Sequence, residues 1–344
     1  MRTLRTAVIG LGRIGWKFHV PQIIRHDGFD LAAVVDPLQE RLDEAKSEFG
    51  VQGYANCDRL WDAETLDLAV IASPTPFHSE QAIAAFENGC DVFCDKPMAP
   101  SLDEADRMID SMKKHGRKLM VYQPHRASVG TVALRGLLSR DIIGPVYMIK
   151  LARSAYTRRN DWQAFRKYGG GMLNNYGAHY IDQSLYISGS RAKRVTCALR
   201  TIASLGDADD VVKTVIETDN GIILDIDINM ALAHPLPAWQ ILGERGSLVL
   251  EKKAWRARFF RYEELADIGV QAGLAAKDRR YGSGETIPWQ ESSFPLSDFQ
   301  PVDFYEKCYD YFALDGKPFV PIAETREVMR VLDECRKDAA GISP

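Results

Sequence analysis

The chain has no apolar run approaching the ~18 residues that a membrane span needs. It has no charge excess either: 43 Lys and Arg stand against 47 Asp and Glu, a formal net charge of −4 at pH 7. That balance removes the electrostatic case for nucleic acid or an anionic membrane as a partner. Cysteine is scarce and unpatterned. Cys57, Cys90, Cys94, Cys197, Cys308 and Cys335 form no CxxC and no Cys/His ligand spacing. They read as buried, reduced thiols, so a cytoplasmic location and no metal are expected. Internal repeats and low-complexity segments are also lacking, and the short apolar segment after Arg2 and Arg5 reads as a core strand, not a signal peptide. What is present, 344 residues at 46% hydrophobic and 26% charged, is an ordinary globular composition too long for one core, so two domains are expected.

The most informative stretch is the apolar run from Thr6 that ends in Gly10-x-Gly12-x-x-Gly15. Asp36 follows Gly15 by 21 positions, at the end of a second apolar run that starts at Asp30. This is the order of a dinucleotide-binding βαβ unit. Gly10 makes the turn off the strand, Gly12 lets the backbone approach a pyrophosphate, and Gly15 lets helix and strand pack closely. Arg13 and Ile14 lie inside the motif, at the helix start where free N–H groups meet phosphate. A carboxylate at Asp36 accepts from ribose hydroxyls and repels a 2′-phosphate, which favours NAD over NADP. Arg41, the nearest cation after it, reads as a solvated helix residue.

Strands are expected at 6–10, 30–35, 67–72, 91–95 and 118–122, with helices between them at 14–26, 38–49, 78–88 and 102–115. Alternating β and α implies a doubly wound parallel sheet, so residues 1–123 form an α/β dinucleotide-binding domain. After Arg126 the pattern changes. Helices are expected at 128–139 and 172–187, and strands at 145–152, 194–201, 211–218, 222–229, 238–243 and 247–251. Consecutive strands imply an α+β domain over 124–344 with a large, mainly antiparallel sheet, whose open face self-association would cover. The segment 262–300 reads as a long excursion, and a helix from Glu324 to Lys337 closes the chain.

Three groups of residues stand at strand ends or helix starts. Ser73, Pro74, Thr75 and His78 follow the third strand, where they would border the cofactor. Asp95, Lys96 and Pro97 follow the fourth, where the nicotinamide end should lie. A lysine there can donate to a substrate hydroxyl or a developing alkoxide, although a surface lysine capping a strand would look the same. The third group runs from Gly169 through Asn175 and His179 to Asp182. His179 suits a general base for an alcohol, but a satisfied structural histidine is the more common use of such a residue. Asp161, Trp162, Gln163, Arg166 and Lys167 are expected at the rim of the substrate cleft, and Gln123, His125 and Arg126 near the domain junction, with Arg126 a candidate substrate contact.

Taken together, GLGRIG at 10–15, VVDP at 34–37, SPTPFH at 73–78, DKP at 95–97 and GGGxxxNxGxHxxD at 169–182 resemble the Gfo/Idh/MocA oxidoreductases over essentially the whole chain. The resemblance implies a Rossmann domain, a second domain whose open sheet makes a homodimer or homotetramer, and a sugar or polyol substrate. It implies that Lys96 is the catalytic lysine, followed by a cis peptide, and that His179 is the general acid/base. It also implies cofactor contacts from Asp95 and Lys96, and substrate contacts from Lys96, Asn175 and His179. Two positions depart from the pattern. Asp95 stands where the family has Glu, which alters the expected bond to the nicotinamide ribose. Asn175 stands where an acid would orient His179, so a lower His179 pKa, or proton relay through Lys96, is expected. An NAD-dependent glycoside-cleaving enzyme and a non-catalytic dinucleotide sensor share the same fold and are the alternatives to a dehydrogenase.

Overall fold

A computed structural model describes residues 2–270, 272–273, 282 and 284–341. The first part carries β1 (Leu4–Ile9), α1 (Val20–Arg25), β2 (Phe29–Val35), α2 (Gln39–Phe49), β3 (Gln52–Tyr54), α3 (Cys57–Ala63), β4 (Leu68–Ile71), α4 (His78–Glu87), β5 (Asp91–Cys94), α5 (Leu102–Lys114) and β6 (Leu119–Val121). The strands pair in parallel in the order β3-β2-β1-β4-β5-β6. Their alternate residues feed two cores. Ala7, Ile9, Ile71 and Cys94 lie in one, while Val8, Val70, Phe93 and Met120 lie in the other. A sheet buried on both faces explains why these strands read as continuous apolar runs. The short β3 and α3 escaped the sequence reading, because three residues of strand and seven of helix carry no usable period.

The second part carries α6 (Val129–Leu138), β7 (Val146–Ser154), α7 (Ala178–Ser188), β8 (Ala192–Arg200), β9 (Val211–Thr218), β10 (Ile223–Asn229), β11 (Trp239–Gly243), β12 (Gly246–Glu251), β13 (Ala254–Phe259), β14 (Gln290–Pro295), α8 (Phe304–Leu314) and α9 (Ile322–Ala339). Its eight strands are ordered β14-β13-β12-β11-β7-β10-β9-β8. All pairs are antiparallel except β7 with β10, because β7 enters the middle of the sheet and the chain returns to it through α7 and the β8–β10 meander. Ile149, Leu151, Ile226, Ile228, Ile241 and Trp255 face the core shared with the first sheet. The opposite face carries Val215 and the ion-paired Lys150, Asp225, Lys213 and Asp227.

Three elements of the second part were not anticipated either. β13 alternates buried Trp255 and Ala257 with Arg256 and Arg258. β14 lies inside the expected excursion over 262–300, and part of that excursion lies outside the described residues. α8 returns to the first sheet: Phe304, Tyr305, Cys308, Tyr309 and Phe312 pack with Leu4, Val8, Phe29 and Phe93. α9 then packs on β8, α5 and α7, so the C-terminal helix touches both halves of the molecule. No helix among the described residues is long and apolar enough to cross a membrane.

Candidate active site

The glycine motif is shaped for close backbone approach. Gly10 has φ +99°, and a Cβ there would lie 2.6 Å from the Ser73 nitrogen; a Cβ on Gly15 would lie 1.9 Å from the Gly10 carbonyl oxygen. Gly12, by contrast, opens on free space, the opening a pyrophosphate needs. The helix begins with a π turn over Gly15–His19. Asp36 is buried at the end of β2, where Leu11 N and Leu38 N donate to its carboxylate at 2.9 and 3.0 Å. Arg41 departs from the sequence reading: its Nη1 lies 3.0 Å from Asp36 Oδ2, so it is a partner of this carboxylate. These features fit a nicotinamide dinucleotide, with the glycine turn for its pyrophosphate and Asp36 for its adenosine ribose.

The loops after β4 and β5 are tied together by His78. Its Nδ1 lies 3.0 Å from the Pro97 carbonyl and its Nε2 lies 2.8 Å from the Ser73 carbonyl. Buried between these two carbonyls, with one N–H to donate as a neutral ring, His78 faces the loops it braces and not the cofactor it was expected to border. Ser73 Oγ donates to Gln81 Oε1 at 2.6 Å. Pro74 leads into a 3₁₀ turn over Thr75–Phe77. A side chain at Gly169 would touch Thr75 and Pro76, so this loop meets the triple-glycine turn of the second part.

Lys96 closes the gap between the two halves. The Lys96–Pro97 peptide is cis. Asp95, one methylene shorter than the acid the family pattern has, turns back on its own chain and accepts from Lys96 N at 2.7 Å. Lys96 Nζ donates to the Asn175 carbonyl at 2.9 Å and to Asn175 Oδ1 at 3.1 Å. Its ammonium has three donors, so one remains for a substrate oxygen. Burial lowers the Lys96 pKa from its ordinary value, and Arg13 and Arg159 lower it further against the opposing pull of Asp95.

Asn175 sits in a π turn over Leu173–Gly177 that runs directly into α7 and His179. Asp209 sets the start of that turn: its Oδ2 accepts from Leu173 N at 2.8 Å and its carbonyl from Met172 N at 2.8 Å. Asn174 bonds the Gly169 and Gly170 carbonyls and accepts from Arg336 Nη2 at 2.6 Å, which brings α9 to the site.

His179 is oriented by a residue that the sequence reading placed only near the junction. Gln123 Nε2 donates to the Ala178 carbonyl at 3.5 Å, which turns Gln123 Oε1 toward His179 Nδ1 at 3.0 Å. Because a carboxamide oxygen only accepts, Nδ1 carries the proton and Nε2 keeps a free lone pair. Gln123 thus has the orienting role that was expected of position 175. The His125 ring stacks on His179 with centroids 4.1 Å apart. Burial, then Lys96 and then His125, hold the His179 pKa well below its usual value, and burial with Lys96 brings His125 to about 4. Both rings are neutral at pH 7.

Arg126 does not face this group as a free cation. It is buried, with Nε and Nη2 on the two oxygens of buried Asp182 at 2.8 and 2.6 Å and Nη1 on Glu324. Its guanidinium also lies over the Tyr186 ring at 4.6 Å. The expected substrate contact is therefore corrected to a buried ion pair joining the β6–α6 connection to α7 and α9. Trp162 lies half-exposed on a 3₁₀ turn over Trp162–Ala164. Next to it, Arg159 reaches Gln163 Oε1, which also accepts from Asn175 Nδ2 at 3.3 Å. No sequence motif marks Arg159.

A family model described as an oxidoreductase family with an NAD-binding Rossmann fold matches residues 4–123, and the GFO/IDH/MocA C-terminal domain matches residues 131–249. The chain belongs to the GFO/IDH/MocA oxidoreductase family. Within it, the chain is 28% identical to D-glucoside 3-dehydrogenase of Escherichia coli over 253 residues, 67% of this chain and 71% of that one. It is 26% identical to scyllo-inositol 2-dehydrogenase (NAD(+)) of Bacillus subtilis over 257 residues, 72% and 73% of the two chains. The fold matches the crystal structure of an NAD-binding protein from Listeria innocua with TM-score 0.83 at 22% identity, covering 99% of this chain and 96% of that one.

Proposed function

We propose that the chain is a cytoplasmic NAD-dependent dehydrogenase that oxidises a secondary alcohol of a sugar or polyol, or reduces the corresponding ketone. The observation that carries this reading is Lys96, after β5 of a dinucleotide fold, bonded to the π turn that leads into α7 and its tautomer-fixed His179. When bound, the nicotinamide supplies the hydride acceptor. His179 Nε2 accepts the proton of the substrate hydroxyl, and the free N–H of Lys96 donates to the same oxygen as negative charge develops on it. Asn175 holds the ammonium in place, and Gln123 holds the imidazole. The glucoside and inositol dehydrogenases among the relatives support a polyhydroxylated substrate.

Asp36 supports NAD over NADP, since a carboxylate at the end of β2 in a dinucleotide fold accepts from ribose hydroxyls and repels a 2′-phosphate. The Arg41 pair softens that repulsion without removing it. The test follows reduced nicotinamide with NAD⁺ and with NADP⁺ against polyols, aldoses and sugar acids. Turnover with a higher kcat/KM for NAD⁺ is expected, and Arg41→Ala should widen the preference. Bound nucleotide with no turnover on any compound would instead favour the glycoside-cleaving or sensor alternatives. The open face of the eight-stranded sheet, with Val215 among its ion pairs, is the proposed self-association surface, and light scattering is expected to give a dimer or tetramer.

A further inference from the structure

The hydrogen bonds that link Lys96 to Arg159 run in one sense. Lys96 Nζ donates to Asn175 Oδ1, Asn175 Nδ2 donates to Gln163 Oε1, and Arg159 Nη1 donates to that same oxygen. The string thus ends in a cation on each side, with only neutral amides between. The neighbouring histidines, His125 and His179, add no negative charge. Carboxylates stand near the string: Asp209 and Asp210 line a small pocket with Arg159 and Gln163, where Asp209 accepts from Leu173 N and Asp210 from the backbone N–H groups of Ile202, Ala203 and Ser204. Asp95 is engaged with the backbone N–H of Lys96, and Asp161, half-exposed, accepts from Gln163 N at 2.9 Å and, of the Arg159 donors, from Nη1 alone, at 3.1 and 3.2 Å. Among the described residues, Nε and Nη2 of Arg159 and Nε2 of Gln163 make no hydrogen bond. The Arg159 side chain is 24% exposed, so these donors are reachable. The Nε–Nη2 edge of a guanidinium is a planar fork that matches a carboxylate with two parallel bonds.

We propose that this edge of Arg159, with Gln163 Nε2, is the subsite for a carboxylate on the substrate, so that the preferred substrate is a sugar acid and not a neutral sugar. The two amides between Lys96 and Arg159 separate the reacting oxygen from the carboxylate. Asn175 and Gln163 pass no charge along the string, and each cation is left for its own group on the substrate. The Lys96 assignment within this picture rests on the dehydrogenase reading. The carboxylate subsite does not, and the two are tested separately.

Calorimetric titration of the NADH-loaded full chain would compare hexuronates and hexonates with their neutral parents, and with glucose 6-phosphate as a non-planar anion. At least one acid is expected to bind about tenfold or more tightly than its neutral counterpart. In Arg159→Gln that acid-to-neutral ratio should collapse toward one, and Arg159→Lys should restore part of it, because charge returns without the fork. Acids that bind no better than their parents, or an acid preference that survives Arg159→Gln, would overturn the subsite. A preference for the phosphate ester over every carboxylate would overturn it too. If acids bind through Arg159 but reduce no NAD⁺, the dehydrogenase reading falls and the subsite stands. If neutral sugars turn over as well as their acids, the subsite falls and the dehydrogenase reading stands.

Discussion

Lys96→Ala is expected to lower kcat by about a thousandfold, with the dinucleotide still bound. The Lys96 ammonium acts on His179 and has a spare donor, while its other two donors are fixed by the Asn175 carbonyl and side chain. Removing it takes away the group that meets the developing oxyanion, while the glycine turn and Asp36 are untouched. Retained nucleotide affinity, measured by fluorescence titration with NADH, separates this from a collapsed site. The pH dependence follows from the same geometry. His179 has its pKa held well below the usual value, so its lone pair stays free as the pH falls through 6.5, and the acid limb lies below that. The Lys96 pKa is depressed, so the ammonium is lost as the pH rises through a value below 10.5, and the rate falls there. Asn175→Asp puts a carboxylate against Nζ and should move that basic limb upward. A basic limb at the same pH in Asn175→Asp and the parent would take Lys96 out of it.

Much of this was legible in the sequence, for identifiable reasons. Strands buried on both faces announce themselves as apolar runs, and the Gly10, Gly12 and Gly15 turn is marked because no side chain fits at two of those positions. Lys96, Asn175 and His179 follow short motifs, so their candidacy was visible too. Their wiring was not. A residue four positions before a histidine on a continuous α-helix would be its neighbour, but the π turn over Leu173–Gly177 precedes α7, and Asn175 bonds Lys96 and Gln163. The imidazole is oriented by Gln123, 56 positions away in sequence, and such a contact leaves no local signature. α8 was missed because its apolar residues serve the first sheet, far from their neighbours along the chain. Arg41 was misread because its i+5 spacing from Asp36 crosses a turn into α2, where helical neighbour rules do not apply.

Arg126→Met is expected to destabilise the fold by about 3–5 kcal/mol, the usual cost of leaving one partner of a buried ion pair alone. Arg126 and Asp182 have side chains 2% and 0% exposed, and two parallel bonds join them. In the variant, Asp182's burial and then the Glu324 charge are left acting on it, and both push its carboxyl up and favour the protonated form. Since the unfolded chain releases that proton near the ordinary carboxylate value, the variant loses further stability as the pH rises above it. Urea midpoints at pH 5 and pH 8 measure the difference, with the larger deficit expected at pH 8. The double variant Arg126→Met with Asp182→Leu removes both charges and should recover most of the loss, leaving Glu324 at the solvent edge. A substrate-binding Arg126 predicts another pattern: near-normal stability in the single variant, a raised KM, and no rescue by Asp182→Leu. The bidentate geometry favours the first outcome, because three N–H groups of Arg126 are spent on Asp182 and Glu324 and the side chain, 2% exposed under the Tyr186 ring, has little surface to offer a sugar.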